Sequence, residues 1–208
     1  MPNWTINCIT TDNPEIIPTF INEGVGFDFN KLIPMPESLN IEDGSITHEA
    51  IAYFITERLS IPYTETNLNN LLSNMFDKNW AATVVERLKK RKWNKGYSKK
   101  KLYEMGKQYM FNYEHYGCFT WYQWRNKYWN TKWNACETYY DKDNPTEVTF
   151  DTAWDAPEPI FEKMCAMFPD SEINFNCEYE EGYVEEYEND NGILVKTNEY
   201  RIDEDEEE

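Results

Sequence analysis

Histidine is nearly absent from this chain, with only His48 and His115, and no HExxH, GxSxG or phosphate-cradling glycine loop occurs. A hydrolase or transferase needs a nucleophile beside a base, or carboxylates held in geometry, and no such signature is present. The chain therefore reads as non-enzymatic, with no catalytic residue, cofactor or metal expected. Long apolar runs are missing too, which argues against a membrane-spanning helix. The opening MPNWTINCIT has no basic stretch followed by an apolar one, so no secretory signal is expected. The 5 cysteines (Cys8, Cys118, Cys136, Cys165, Cys177) are odd in number and never form a CxxC pair. That usage fits reduced thiols in a cytoplasm, here the cytoplasm of a bacterial host, rather than a disulfide framework.

Single residues that could carry chemistry have plainer explanations. His115 sits at a predicted helix end, where the dipole favours it. Cys118, after Gly117, could be a reactive thiol or a small packed hydrophobe. DKDNPTEVTFDT begins like a calcium loop with Asp141 and Asp143. It lacks the loop glycine, carries Pro145 at the fifth place and ends on Thr152 instead of Glu. A turn accounts for the same residues.

Charge is plentiful but unevenly distributed. The net charge is −18. Residues 1–77 hold 2 basic and 11 acidic side chains, residues 78–133 hold 14 and 3, and residues 134–208 hold 4 and 24. A basic middle thus lies between two acidic flanks. The overall charge opposes non-specific attachment to nucleic acid or anionic lipid, and the middle could equally pair with its own flanks. With 8 Trp, 15 Tyr and 11 Phe, apolar area is ample for a core.

Periodicity predicts the elements. TINCITT (5–11) alternates as a half-buried strand with Ile6, Cys8 and Thr10 on its apolar face. Asp12 or Asn13 then caps a short helix carrying Ile16, Ile17, Phe20 and Ile21. GVGFDFNKLIPMPES reads as an irregular connection. From Thr47 to about 128 the period is helical. Ile51, Phe54, Ile55 and Leu59 mark the first helix, which stops before Pro62, and Leu68, Leu71, Leu72, Met75 and Phe76 mark the second. Segments 80–92 and 101–113 are separated near Gly96, and a last short helix presents Trp121, Trp124 and Tyr128. Alternation returns in TKWNACETYY (131–140) and EVTFDTAW (147–154, with Val148, Phe150, Thr152 and Trp154 on one face), joined by DKDNP as a hairpin. Pro157 opens a helix with Ile160, Phe161, Met164, Met167 and Phe168. INFNCEY (173–179) is a strand, and Asn-Gly in NDNG (189–192) predicts a second hairpin. Without the helical insertion the order is β-α-β-β-α-β. The expected fold is α+β: a ferredoxin-like antiparallel sheet of split β-α-β type with a large helical insertion. Its parts are 1–46, the basic and aromatic insertion 47–128, the remaining core 129–200 and an acidic tail 201–208.

MPNW at the start, GFDFNKLIPMPESL (26–39), WYQWRNKYWNTKWNA (121–135) and FDTAWDAPEPIFEKMCAMFPD (150–170) resemble the YubB-type ferredoxin-like family. Its members are encoded mainly on phages, plasmids and integrative elements. The resemblance implies a fold and a mobile-element setting, and no reaction. The chain departs from it at Asn130, where members tend to carry Gly, and at Ala156, where they tend to carry a second Pro.

Two surfaces are candidate sites. Glu178, Glu180, Glu181, Glu185, Glu186 and Glu188 fall on predicted strands, where alternation places one-face carboxylates about 7 Å apart. That matches every second phosphate of a DNA strand, at about 3.4 Å per step. Such a face could occupy the nucleic-acid groove of a host protein, or could simply be a solvated sheet face. The second surface is basic and aromatic: Lys92, Trp93, Lys99, Lys100, Lys101, Arg125 and Lys127 offer cations and stacking rings for single strands. A core stripe of aromatics with cations outside explains the same pattern. The favoured expectation is a stoichiometric inhibitor of a host defence or nucleic-acid-handling protein, anti-CRISPR-like, acting through a DNA-mimicking face. Direct single-strand binding and small-molecule or nucleotide binding are the alternatives. No membrane partner is expected.

Overall fold

The computed structural model describes residues 3–62, 64–73, 80–90 and 96–202. The chain divides into two compact units, one formed by residues 1–35 with 125–208 and the other by Pro36–Trp124.

The first unit is built on a six-stranded sheet. β1 (Trp4–Thr11) is followed by the short helix α1 (Ile16–Phe20) and a two-residue ribbon of β2 (Ile21–Asn22) and β3 (Gly26–Phe27). After the helical unit come β4 (Cys136–Tyr139), β5 (Glu147–Ala153), α7 (Glu158–Met167), β6 (Ile173–Tyr179), β7 (Tyr183–Asp190) and β8 (Ile193–Arg201). The strand order is β4-β5-β1-β6-β7-β8, antiparallel at every pairing. Its first four strands, with α1 and α7 as crossovers, form the ferredoxin-like arrangement, and β7 and β8 extend it. Both hairpins lie where turn chemistry put them. Asn191 and Gly192 have φ of 51° and 90°, the left-handed pair that a two-residue turn requires.

The sheet is covered on one face. Phe150 of β5 stacks on Phe27 at 5.0 Å and meets Phe29 edge-on, and Phe29 in turn meets Trp129. Phe175 of β6 stacks on Phe161 of α7 at 4.3 Å. Full burial of such rings contributes roughly 2–3 kcal/mol each, so this layer dominates the unit's stability.

Several expectations change here. In β1 the buried face is Thr5, Asn7, Ile9 and Thr11, while Ile6 is 49% exposed. The residues Ile6, Cys8 and Thr10 lie on the opposite face. Hydrogen bonding decides this: the Asn7 Nδ2 donates to the carbonyls of Thr5 and Phe150 and to the Thr152 hydroxyl, bonds that only the inward face offers, while its Oδ1 is buried without a partner. β5 ends at Ala153. Trp154 turns to φ 81° and is 54% exposed, rather than continuing the Val148–Phe150–Thr152 face. Residues 131–135 are irregular, because Thr131 bonds its hydroxyl to the Ala153 carbonyl and β4 starts only at Cys136. In α7, Cys165 is buried and Met167 exposed.

The second unit packs four helices, α2 (Ser45–Leu59), α3 (Glu65–Leu72), α4 (Trp80–Lys90) and α5 (Lys99–Tyr116), and the chain returns to the sheet within α6 (Trp121–Tyr128). Thr64 and Ser98 cap α3 and α5 by accepting from backbone N–H groups three residues on. α2 is the central helix. Ala50, Ile51, Ala52, Tyr53 and Phe54 are all buried in succession, and Leu59, expected inside, is exposed. The helix ends there because Ser60 adopts φ 54°. Met75 and Phe76 lie outside the described residues.

Gly106 is the close-approach point between α5 and α2. A Cβ there would lie 2.1 Å from the Ala50 carbonyl oxygen and 2.6 Å from the Phe54 Cβ. In an open helix Gly→Ala gains about 1 kcal/mol; here backbone would have to move, at roughly 1–3 kcal/mol. The clash wins. Gly106→Ala is expected to lower the thermal unfolding midpoint, measured by circular dichroism at 222 nm, and an unchanged or raised midpoint would refute the close packing.

Candidate interaction face and carboxylate cluster

Strand alternation on a sheet covered from one side sends every second side chain outward. The registers place three rows across the exposed face. Cys136, Asp151, Ile6, Glu178, Val184 and Tyr200 form one, in which Val184 alone is buried, and Tyr139, Thr149, Cys8, Asn176, Glu186 and Asn198 the next. The third holds Glu147, Thr10, Asn174, Glu188 and Val195. Glu147, Asp151, Glu178, Glu186 and Glu188 thus share one face. Among the described residues, no strand position on that face holds a lysine or arginine. A depression of about 260 Å³, lined by Cys8, Thr10, Asn174, Asn176, Glu186 and Thr197, opens near its centre. Burial, with Glu137 nearby, pushes the Asp151 carboxyl up, and burial beside Glu147 does the same to the Cys8 thiol.

The six glutamates read from the sequence are therefore divided. Glu178, Glu186 and Glu188 lie on the open face. Glu180 and Glu181 precede β7 in the turn, where Glu180 accepts from the Trp4 N–H at 2.9 Å and Glu181 from the Asn3 amide. Glu185 points to the covered side, opposite Cys177. Counting glutamates without register hid this, and it also missed Glu147 and Asp151 on β5, which pairing through β1 brings to the same surface.

Glu185 belongs to a polar cluster that the sequence did not announce. One of its carboxylate oxygens accepts from the Tyr179 hydroxyl at 2.6 Å and the Tyr187 hydroxyl at 2.7 Å. Lys196 donates to its other oxygen at 2.5 Å and to Glu199 at 2.6 Å. The Tyr187 hydroxyl lies 3.2 Å from Glu158, and that of Tyr179 lies 3.3 Å from Asp155. Burial pushes the Glu185 carboxyl up, but the bonds from Lys196, Tyr179 and Tyr187 outweigh it and hold it below the ordinary range. Glu158 goes the other way: burial first, then Glu185, Asp155 and Glu162, raise it despite the Tyr187 bond. Both tyrosine hydroxyls are pushed up by burial and by Glu185. The cluster has the parts of a charge-compensated joint. No group of three or more His, Cys, Asp or Glu that could hold a metal is found among the described residues.

The basic candidates scatter. Lys92 and Trp93 lie outside the described residues. Lys99, Lys100 and Lys101 are exposed in the first turn of α5, with Lys101 over the Tyr97 ring at 4.5 Å. Arg125 is half-buried, its guanidinium over Trp129 at 5.0 Å, and Lys127 lies over Tyr128. Trp124 and Trp129 are core residues. Their rings are unavailable for stacking on bases, whereas Tyr97 and Trp121 are half-buried and Tyr122 is exposed.

The residues behind the family resemblance turn out to build joints. Asp28, buried, accepts from the side-chain amides of Asn22, Asn30 and Asn134 and from the Asn30 N–H. Burial raises its carboxyl, but those bonds outweigh it and hold it below the ordinary range. The Trp129 indole donates to the Ile33 carbonyl. Asn130 has φ 60°, and its amide donates to the Ala156 carbonyl at 3.0 Å. The two departures from the resemblance thus contact each other: asparagine tolerates the left-handed conformation that suits glycine, and its side chain adds a bond to the second site.

Residues 128–208 match the family model described as the ferredoxin-like domain in Api92-like protein. The chain is similar in structure to the protein api92 from Yersinia pseudotuberculosis, at 11% identity and a TM-score of 0.40, with 98% of this chain and 99% of that one covered. No curated protein matches. No helix among the described residues is long and apolar enough to cross a membrane.

The opposed shifts in the carboxylate cluster fix the sign of its pH response. Glu185, lowered, contributes stability present above the usual glutamate value of 4.5 and lost as pH falls through its folded value. Glu158, raised, contributes stability present below 4.5 and lost as pH rises through its folded value. Urea unfolding across the acid range should show Glu185→Gln losing less stability than the parent as pH drops. Glu158→Gln should gain relative to the parent as pH rises from acid to neutral. Parallel pH profiles for parent and variants would refute the assignment.

Proposed function

We propose that this chain is a non-enzymatic binding protein whose open sheet face docks onto the basic, nucleic-acid-holding surface of another protein. The observation that carries this reading is the gathering of Glu147, Asp151, Glu178, Glu186 and Glu188 on one exposed face without a cationic strand position. Glu186 and Glu188, two apart on one strand, are spaced about 7 Å. Glu178 lies on the neighbouring strand, diagonal to Glu186 at about 7–8 Å. A duplex presents a comparable density of negative charge to its protein partners. The polar Asn174, Asn176 and Thr10 between the carboxylates add donors and acceptors without opposing charge, and electrostatic complementarity of this kind speeds encounter and selects basic partners.

The resemblance to the YubB-type family supplies the setting. A protein carried by a phage or other mobile element meets the defence and nucleic-acid-handling proteins of its host in the bacterial cytoplasm. A stoichiometric inhibitor of one of these, competing with nucleic acid for its groove, needs the surface described here and no catalytic machinery. Direct attachment to nucleic acid is the less favoured reading, because the net charge of −18 repels phosphate and the Trp124 and Trp129 rings are buried.

The test combines recovery with competition. Affinity-tagged protein is incubated with nuclease-treated bacterial lysate, and its stoichiometric partner is challenged with duplex DNA and with the variant Glu178→Lys/Glu186→Lys/Glu188→Lys. DNA should displace the protein from its partner, and the triple reversal should weaken binding at least about tenfold, as expected when like charges replace complementary ones. A partner bound equally well by the reversed chain, or one that DNA does not displace, would sink this reading.

A further inference from the structure

The two edges of the sheet are very different. At one end β4 is only four residues long and is interrupted by a register shift, with Glu137 at φ 45°. Short, bulged strands of that kind resist pairing with another chain. At the other end β8 is nine residues long and pairs only with β7. Among the described residues no other strand pairs with its outer row of backbone groups, and the Glu199 N–H there donates to the neighbouring Asn198 side chain at 3.0 Å. No proline interrupts it. A long, exposed edge strand is a template for β-sheet addition.

The geometry of β8 points to one occupant. Its register against β7 shifts by one residue at Thr197, so that Tyr187 pairs with Lys196 while Glu186 pairs with Asn198. The shift exchanges odd and even positions along the strand. Before it, Ile193 and Val195 lie on the open face. After it, Asn198, Tyr200 and Ile202 do. The exposed apolar residues of this edge are the same set: Ile193 at 66%, Val195 at 36%, Tyr200 at 45% and Ile202 at 44%. Backbone direction changes with it. The Ile202 N–H donates inward to the Gly182 carbonyl, so alternation turns the amides of Arg201 and Glu199 outward. On the other side of the shift, Ile193 closes the tight turn against Asp190, which turns those of Leu194 and Lys196 outward.

We propose that β8 pairs antiparallel with β8 of a second copy of this chain, about a twofold axis between Thr197 and Asn198. In that register Leu194 faces Arg201 of the partner subunit, and Lys196 faces Glu199 of the partner subunit; both are outward-pointing, hydrogen-bonded pairs. Ile193 faces Ile202 of the partner subunit, and Val195 faces Tyr200 of the partner subunit, so the exposed apolar residues cover one another. Every pair joins residues of the same sheet face. This register pairs odd with even positions, and without the one-residue shift it would set open-face residues against covered-face ones. The result is one continuous sheet in which the open faces of both copies lie on the same side. This inference does not rest on the proposed docking partner.

Sedimentation velocity of the full chain, from about 1 µM to about 500 µM, is run in enough salt to screen its self-repulsion. A reversible monomer–dimer equilibrium is expected. Glu199→Pro removes an outward N–H while leaving pairing with β7 intact, and Ile193→Lys puts a charge in the apolar seam. Each should raise the dimer dissociation constant at least about tenfold. Phe111→Ser, at an exposed ring in the helical unit, should not. Circular dichroism checks folding, and if the proline variant does not fold, the lysine variant still decides. A chain that stays monomeric over the whole range overturns the proposal, and so does a dimer indifferent to both edge variants.

Discussion

The organisation of this protein depends on one constraint: its sheet is covered from a single side. Aromatic rings from α7 and from the segment 27–29 pack onto Phe150 and Phe175, and strand alternation then commits the intervening residues to the opposite face. A carboxylate at such a position costs less in burial than one on the covered side, so carboxylates can accumulate there. On the covered side the same residue type must be compensated. Glu185 shows this, taking two tyrosine hydroxyls and a lysine. The difference between an interaction surface and a structural joint is thus one step of register, and the β1–β5, β1–β6 and β6–β7 pairings hold that register without a shift.

The joints that hold the register are concentrated in the segments 26–39, 121–135 and 150–170. Asp28 gathers three asparagine amides from positions 22, 30 and 134, and Thr138 accepts from the Phe27 N–H. Gly26 is required beside it, since a Cβ there would lie 2.4 Å from the Thr138 hydroxyl and its φ is 90°. The long motifs that make the resemblance specific are therefore accounted for by folding. The bond from the Asn130 side chain to the Ala156 carbonyl is a further joint of this kind.

Much of the fold was legible because its signals are local. Asn191-Gly192 specifies a tight turn, INFNCEY buries its alternate residues Ile173, Phe175, Cys177 and Tyr179, and Gly96 separates two helices. The face of β1 was not legible, because both of its faces carry an isoleucine. The choice is made by the Asn7 amide, whose partners Phe150 and Thr152 are more than 140 residues away. Trp154 was misplaced for a similar reason: a single left-handed residue reverses the side chain without altering the composition. The acidic face was legible only in part. Alternation identified Glu178, Glu186 and Glu188, but assigning Glu185 to the other side and adding Asp151 and Glu147 required pairing across β1. Long-range register is the information that one sequence does not carry.

The one-residue shift at Thr197 draws these arguments together. Within one molecule it is an irregularity that costs ladder hydrogen bonds in β8. It also lets exposed apolar residues on both sides of it fall on a single face while the outward amides remain in step. An edge strand protected against association would carry inward-pointing charge, proline or a short span, as β4 does by its length. β8 instead carries Ile193, Val195, Tyr200 and Ile202 outward beside a face otherwise rich in carboxylates. Apolar residues at the rim of an acidic surface would be a liability if water covered them. Against their own copies they join two acidic surfaces into one, about twice as long, and the carboxylates of both open faces then point in a single direction.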